Sequence, residues 1–170
     1  MKVIGLVGVS ALGKSPFVEM LIGALRVDGF TVSTIKRAPD GFDLDRPGKV
    51  SWARREAGCR EVMLAGDRRL VLMQEFRDAP QPPLEELVAR LLPVDVVIAE
   101  GFQDAAVPTI EVVVAGSGRA PRWPSHPHIV AIVVDPADAD VPAPLPRFAV
   151  ADVAGLADFI KAQLALARRA

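Results

Sequence analysis

Gly8-Val9-Ser10-Ala11-Leu12-Gly13-Lys14-Ser15 is the stretch that decides the fold of this chain. Its spacing, Gly-x4-Gly-Lys-Ser, is that of a phosphate-binding loop. Glycines at both ends let the backbone curl so that consecutive N–H groups face an anion. A helix that starts directly behind the loop offers its positive N-terminus to the same phosphates. In this pattern the lysine, Lys14, reaches the β- and γ-phosphates, and the hydroxyl of Ser15 ligates Mg²⁺. The flanks agree. Residues 3–7 form a short apolar run that reads as a buried strand, and Phe17, Val18, Leu21, Ile22 and Leu25 recur at helical spacing behind the loop. The expected nucleotide contacts are therefore Gly8, Ser10, Ala11, Leu12, Gly13, Lys14, Ser15 and Pro16, with Lys14 also assigned to the chemistry. Pro16 is tolerated in a first helical turn because its missing N–H has no intrahelical partner to lose.

Strand and helix signals alternate outward from this loop. Gly29 ends the first helix, and residues 30–35 are β-branched and read as a second strand. Residues 39–48 form a polar loop marked by Pro and Gly. Ser51 is placed to cap a helix running to Gly58. Residues 61–64 and 70–73 predict a hairpin about Gly66-Asp67, and Pro82-Pro83 opens a helix with Leu84, Leu87, Val88 and Leu91 on one stripe. Strands are expected at 94–99, 110–114 and 129–134, with an irregular loop at 116–128 and a proline-rich connection at 136–146. Asp152 caps a last helix that turns Val153, Leu156, Ile160 and Leu164 inward. The alternation predicts an α/β chain with a three-layer P-loop NTPase fold and a mostly parallel central sheet, in a single domain over residues 1–170.

Composition narrows the function classes. Twenty basic against 21 acidic residues leave a net charge of −1, which lacks the basic face of a nucleic-acid or membrane-surface binder. Cys59 stands alone, so no internal disulfide forms, and a reducing cytoplasmic location is expected. The N-terminal apolar run is too short for a signal peptide and gives way at once to the phosphate loop.

Other residues join the phosphate loop by position. The apolar strand Val96-Val97-Ile98-Ala99 ends in Glu100-Gly101, which puts a carboxylate where Mg²⁺ would sit and a glycine where backbone meets the γ-phosphate. Glu100 is thus expected at the chemistry and on the metal, with Ser15. The segment from Lys36 to Lys49 leaves the second strand on the ligand side of the sheet and reads as a nucleotide-sensing loop. Asp135 ends a later strand, where it either accepts hydrogen bonds from a guanine edge or merely terminates the strand before Pro136. His126 and His128 read as loop residues without metal-ligand partners. No Asn-Lys-x-Asp guanine signature is present, so motifs alone do not separate GTP from ATP.

From residue 3 to residue 160 the chain resembles the molybdopterin-guanine dinucleotide biosynthesis protein B (MobB) family. The likeness is carried by the phosphate loop, by Ile35-Lys36, by Phe42-Asp43-Leu44-Asp45-Arg46-Pro47-Gly48-Lys49-x-Ser51 and by Arg55-x-Ala57-Gly58. It continues in Leu72-Met73, Val94-Asp95-Val96-Val97-Ile98-Ala99-Glu100-Gly101-Phe102, Ile129-Val130-Ala131 and Asp152-Val153-x-Gly155-Leu156-Ala157-Asp158-Phe159. The resemblance implies a GTP- and Mg²⁺-binding protein, at most a weak GTPase, that assists a molybdopterin guanylyltransferase (MobA-like) and forms a homodimer. Molybdopterin is a further implied ligand. Lys36, Asp45 and Glu100 carry over as site residues, with Asp45 and Glu100 on the metal. The chain departs from the family pattern at Ala11, Leu12, Pro16, Arg37 to Asp40, Val50 and Gln103, all near the expected site. Two alternatives from other classes are a small-molecule kinase, with Gly116 to Arg122 as its arginine-bearing lid, and a nucleotide-binding scaffold without turnover.

Overall fold

The computed structural model describes residues 1–13, 16–137 and 139–167. In chain order its elements are β1 (Lys2–Val7), a 3₁₀ turn (Val9–Leu12), α1 (Phe17–Val27), β2 (Val32–Lys36), α2 (Val50–Glu56), β3 (Glu61–Ala65), β4 (Leu70–Gln74) and α3 (Leu84–Ala89). There follow β5 (Val96–Glu100), β6 (Thr109–Val114), β7 (Ile129–Asp135), β8 (Arg147–Ala149) and α4 (Val153–Gln163). The described residues divide into two compact units, one of Met1–Arg37 with Leu84–Ala170 and one of Ala38–Pro83.

The first unit is built on a six-stranded sheet ordered β2-β5-β1-β6-β7-β8, in which every neighbouring pair runs parallel. Such a sheet is covered on both faces, and its strands show the expected burial: Val96, Val97, Ile98 and Ala99 are all fully buried. The pleat sorts the side chains. Ile4, Leu6, Val96 and Ile98 face the stripe of Phe17, Leu21 and Leu25 from α1 and of Leu156 and Ile160 from α4. Val3, Ile35 and Ala99 face Leu84, Leu87 and Val88 of α3 on the other side. This is the three-layer arrangement. Lys161 of α4 pairs with Asp28 at the end of α1, tying the two helices of one layer together.

Local chemistry sets several boundaries. Asp152 caps α4 as expected, its carboxylate accepting the Gly155 N–H at 3.1 Å. Thr31 donates its N–H and its hydroxyl to Asp95 at 2.8 and 2.6 Å, which aligns the starts of β2 and β5 and begins those strands at Val32 and Val96. The prolines of residues 136–146 lead into a short strand, β8, that the sequence pattern did not announce. Arg147 holds that connection by donating to the carbonyls of Ala137 and Ala139 at 2.7 and 2.6 Å.

In the second unit β3 and β4 form the expected antiparallel hairpin, with Val62 opposite Met73 and Met63 opposite Leu72. Ser51 does not cap α2. Lys49 holds that position, while Ser51 lies in the first turn, buried, with its hydroxyl donating to Asp45 Oδ1 at 3.0 Å. The local side-chain preference is overridden by this tertiary hydrogen bond.

Candidate nucleotide site

All strand ends of a parallel sheet that carry loops toward a ligand lie on one edge. Here β1 is interior, with β5 on one side and β6 on the other, so the loop leaving β1 opens where the order of strands reverses. Gly8 begins this loop at φ 79°, and an added Cβ would lie 2.2 Å from the carbonyl oxygen of Val112 on β6. Only glycine permits so close an approach. The Ala11 N–H then donates to Gly8 O at 2.9 Å and Gly13 N–H to Ser10 O at 3.3 Å, winding the loop into a 3₁₀ turn. Phosphate binding through those two N–H groups requires the turn to open. Lys14 and Ser15 lie outside the described residues. Pro16 stands at the N-cap of α1 and its carbonyl accepts from Met20 at 2.9 Å.

Two acids bracket the loop. Leu6 near the end of β1 is in register with Glu100 at the end of β5, and Val7 is in register with Glu111 on β6. Glu100 is half-buried, and burial pushes its carboxyl pKa up; Lys36, its register partner on β2, works against that rise, and Glu19 of α1 adds to it. A carboxylate in this setting gains from a further cation. The Gly101 N–H donates to Leu6 O at 2.9 Å, and the Arg37 N–H donates to Glu100 O at 2.9 Å. Gly101 takes φ 81°, with the Arg37 Cβ at 3.4 Å from where its own would be. Glu100, Gly101 and Lys36 are thus brought together beside the loop end of β1.

Glu111 is the residue that motif reasoning missed. It is 4% exposed, and its two carboxylate oxygens accept the N–H groups of Arg122 and Trp123 at 2.7 and 2.9 Å. An acid inside the apolar run Thr109-Ile110-Glu111-Val112-Val113-Val114 was the available signal, since a buried charge needs partners. Through these bonds the 116–128 loop is held beside the phosphate loop, and Arg119 Nη1 donates to Ser10 Oγ at 3.3 Å. Gly8, Ser10, Ala11, Glu111, Arg119 and Arg122 help to line a cleft of about 600 Å³. Asp135 ends β7, in register with Val114, and is not among the residues lining that cleft.

Asp45 belongs to the second unit. Its Oδ1 accepts from Arg46 N and Ser51 Oγ, both at 3.0 Å; its Oδ2 is buried without a hydrogen bond, 3.5 Å from Arg55 Nη1. Arg55 is ringed by acids, with Asp43 at 3.0 Å and Glu75 at 2.6 Å. The Asp45 N–H and the Arg55 guanidinium together hold the Asp43 carboxyl below its ordinary pKa. Among the described residues no cluster of three or more His, Cys, Asp or Glu forms a metal cage.

A parallel sheet whose interior strand feeds a Gly-x4-Gly-Lys-Ser loop into a helix defines a P-loop nucleotide-binding fold. Within that class, the chain belongs to the MobB family: the model for molybdopterin guanine dinucleotide synthesis protein B matches residues 3–135. It is 32% identical over 155 residues to the molybdopterin-guanine dinucleotide biosynthesis adapter protein of Escherichia coli K12, covering 89% of this chain and 86% of that one. A crystal structure of molybdopterin-guanine biosynthesis protein B superposes with a TM-score of 0.72 at 25% identity, over 95% of this chain and 99% of the other. Bacillus subtilis MobB has the same fold, with a TM-score of 0.72 at 20% identity over 96% and 98% of the two chains. Among the described residues no helix is long and apolar enough to cross a membrane.

Proposed function

We propose that the chain binds Mg²⁺–GTP through residues 8–16 and acts, as an accessory protein in the cytoplasm, in the guanylation of molybdopterin, assisting a MobA-like guanylyltransferase. The observation that carries this reading is the phosphate loop leaving β1 beside the Glu100 carboxylate at the end of β5, in a chain of this family. Lys14 neutralises the β- and γ-phosphates, and Ser15 with Glu100 supplies hard oxygen donors of the kind Mg²⁺ prefers. Bound there, Mg²⁺ screens the phosphate charge. Gly101 allows backbone near the γ-phosphate, and Lys36 balances the charge of Glu100. Asp135 is the proposed guanine reader: a carboxylate accepts N1–H and N2–H₂ together, and adenine lacks that pair of donors. Asp45 is proposed as a further carboxylate on the metal. Molybdopterin is the other small molecule this role brings to the protein.

Turnover is at most that of a weak GTPase, because an accessory role needs nucleotide-dependent association rather than rate. Self-association as a homodimer is supported by the outer face of the β3–β4 hairpin, where Met63, Leu70 and Leu72 are exposed. The test is a titration of the purified chain with GTP, GDP and ATP in the presence of Mg²⁺. GTP binding tighter than ATP binding is expected, with Asp135→Ala narrowing the difference while phosphate contacts persist. Equal affinity for ATP and GTP would remove the guanine assignment and favour the kinase alternative. Reconstituting guanylation with a guanylyltransferase, with and without this chain, then tests the accessory role.

A further inference from the structure

The 116–128 loop has no part in the phosphate-loop chemistry derived so far, yet its two limbs are held very differently. Its far limb is fixed: the buried Glu111 carboxylate takes the N–H groups of both Arg122 and Trp123, and His126 Nδ1 lies 3.1 Å from Arg122 O. Its near limb is held by longer local bonds, the Ser117 N–H donating to Val114 O at 3.3 Å and the Arg119 N–H to Ser117 Oγ at 3.4 Å. Gly116 and Gly118 adopt φ 76° and 71°, and a Cβ added at either would meet no atom within 4 Å. Between the two limbs stands Arg119, exposed, whose guanidinium is turned onto Ser10 of the phosphate loop at 3.3 Å. A neutral hydroxyl at that distance is a weak partner for a guanidinium, whose planar fork suits phosphate oxygens.

Position along the phosphate loop says which phosphate. Amides next to the helix cradle the inner phosphates, and the lysine reaches the outer pair. Ser10 lies early in the loop, away from the helix end, and so flanks the outermost phosphate. The cleft that Ser10, Arg119 and Arg122 share holds about 600 Å³, within the size range of small-molecule sites.

We propose that Arg119 contacts the outermost phosphate of a nucleoside triphosphate held by residues 8–16, supplied in cis by a loop that Glu111 anchors. This rests on the nucleotide-binding reading above and adds to it a residue that distinguishes triphosphate from diphosphate. Arg119 leaves Ser10 Oγ for the phosphate when the triphosphate is bound, and returns when only a diphosphate is present.

The full chain is titrated calorimetrically with Mg²⁺ and a non-hydrolysable GTP analogue, and separately with Mg²⁺ and GDP. Arg119→Ala is expected to weaken the analogue by about 10- to 100-fold, the range of a charge-assisted hydrogen bond, and to leave GDP within about two-fold. Arg119→Lys restores part of the loss, since it returns the charge without the fork. Equal weakening of both nucleotides would make Arg119 a purely structural residue of the loop and overturn the proposal, as would no change in either. A wild-type chain that binds neither nucleotide overturns both this proposal and the reading beneath it. Binding of both, with an unchanged triphosphate-to-diphosphate ratio in the variant, overturns this one alone. If Arg119→Ala fails to fold in a thermal melt, Arg119→Gln carries the same comparison.

Discussion

Replacing Gly8 by alanine probes the closest approach in the site. The residue takes φ 79° and ψ −9°, a left-handed conformation that costs an L-residue about 1–2 kcal/mol. The new methyl group would also sit 2.2 Å from the carbonyl oxygen of Val112 and 3.1 Å from its carbonyl carbon. Both are backbone atoms of an interior strand and cannot rotate aside, so an overpacking cost of about 1–3 kcal/mol is added. The sum, about 2–5 kcal/mol, is a large part of the ~5–15 kcal/mol that typically holds a domain folded. At ~2–4 °C per kcal/mol for a chain of this size, the melting temperature should fall by roughly 4–20 °C. Gly13→Ala is the internal control. Gly13 also has positive φ, at 66°, but a Cβ there meets nothing within 4 Å, so only backbone strain of about 1–3 kcal/mol applies. Thermal melts followed by circular dichroism, with urea midpoints as a check, should show Gly8→Ala below Gly13→Ala by about 1–2 kcal/mol. Equal losses would refute the packing of the phosphate loop against β6.

Glu100→Gln should raise the melting temperature at neutral pH without nucleotide: burial lifts the Glu100 pKa, so its stabilising contribution is complete below its ordinary value of 4.5 and is lost as pH rises through the raised one. The gap between variant and wild type therefore opens as pH rises above about 4.5, and a pH-independent gap would contradict the assigned cause; the same variant should lose the Mg²⁺ dependence of nucleotide binding. Glu111→Ala strands two N–H groups that now bond to a carboxylate, and a loss of about 2–5 kcal/mol is expected in urea unfolding, together with a change in Trp123 fluorescence. Lys14→Ala should weaken triphosphate binding by about 2–3 kcal/mol, and an unchanged dissociation constant would sink the phosphate-loop assignment. Asp45→Asn keeps the shape that Ser51 bonds to while removing charge beside Arg55; a Mg²⁺ titration of nucleotide binding that does not move would confine Asp45 to the structure of its own loop.

The framework was legible because it is written in local periodicity. Buried parallel strands are continuous apolar runs, and both Val96-Val97-Ile98-Ala99 and the 129–134 run fall inside strands of the sheet. Asp152 was legible as a cap because the bond it makes spans only three residues. Contacts made by distant segments were not legible. Ser51 looks like a cap from its neighbours alone, and only the fold brings Asp45 to its hydroxyl. β8 is three residues long, too short for a period to show, and exists because β7 offers an edge to Arg147-Phe148-Ala149. Glu111 was passed over because motifs name residues at loop ends, whereas its partners, Arg122 and Trp123, lie eleven and twelve residues further on.

Glu100 and Glu111 carry the same carboxylate on the two strands that flank β1, and their surroundings divide the work between them. Glu111 is satisfied within the chain: two backbone N–H groups take its oxygens, and such a carboxylate is a strut rather than a ligand donor. Glu100 is half-buried at a strand end with one cation, Lys36, acting on its charge, and burial works against that charge. Glu100, the less satisfied of the two, is therefore the acid proposed above for the metal, and Glu111 fixes the loop that carries Arg119. Among the described residues this division leaves a cation on each flank of the phosphate loop, Lys36 on the β5 side and Arg119 on the β6 side. Cations on both flanks match the several negative oxygens of a phosphate chain better than they match a singly charged ligand, which supports the nucleotide site proposed above.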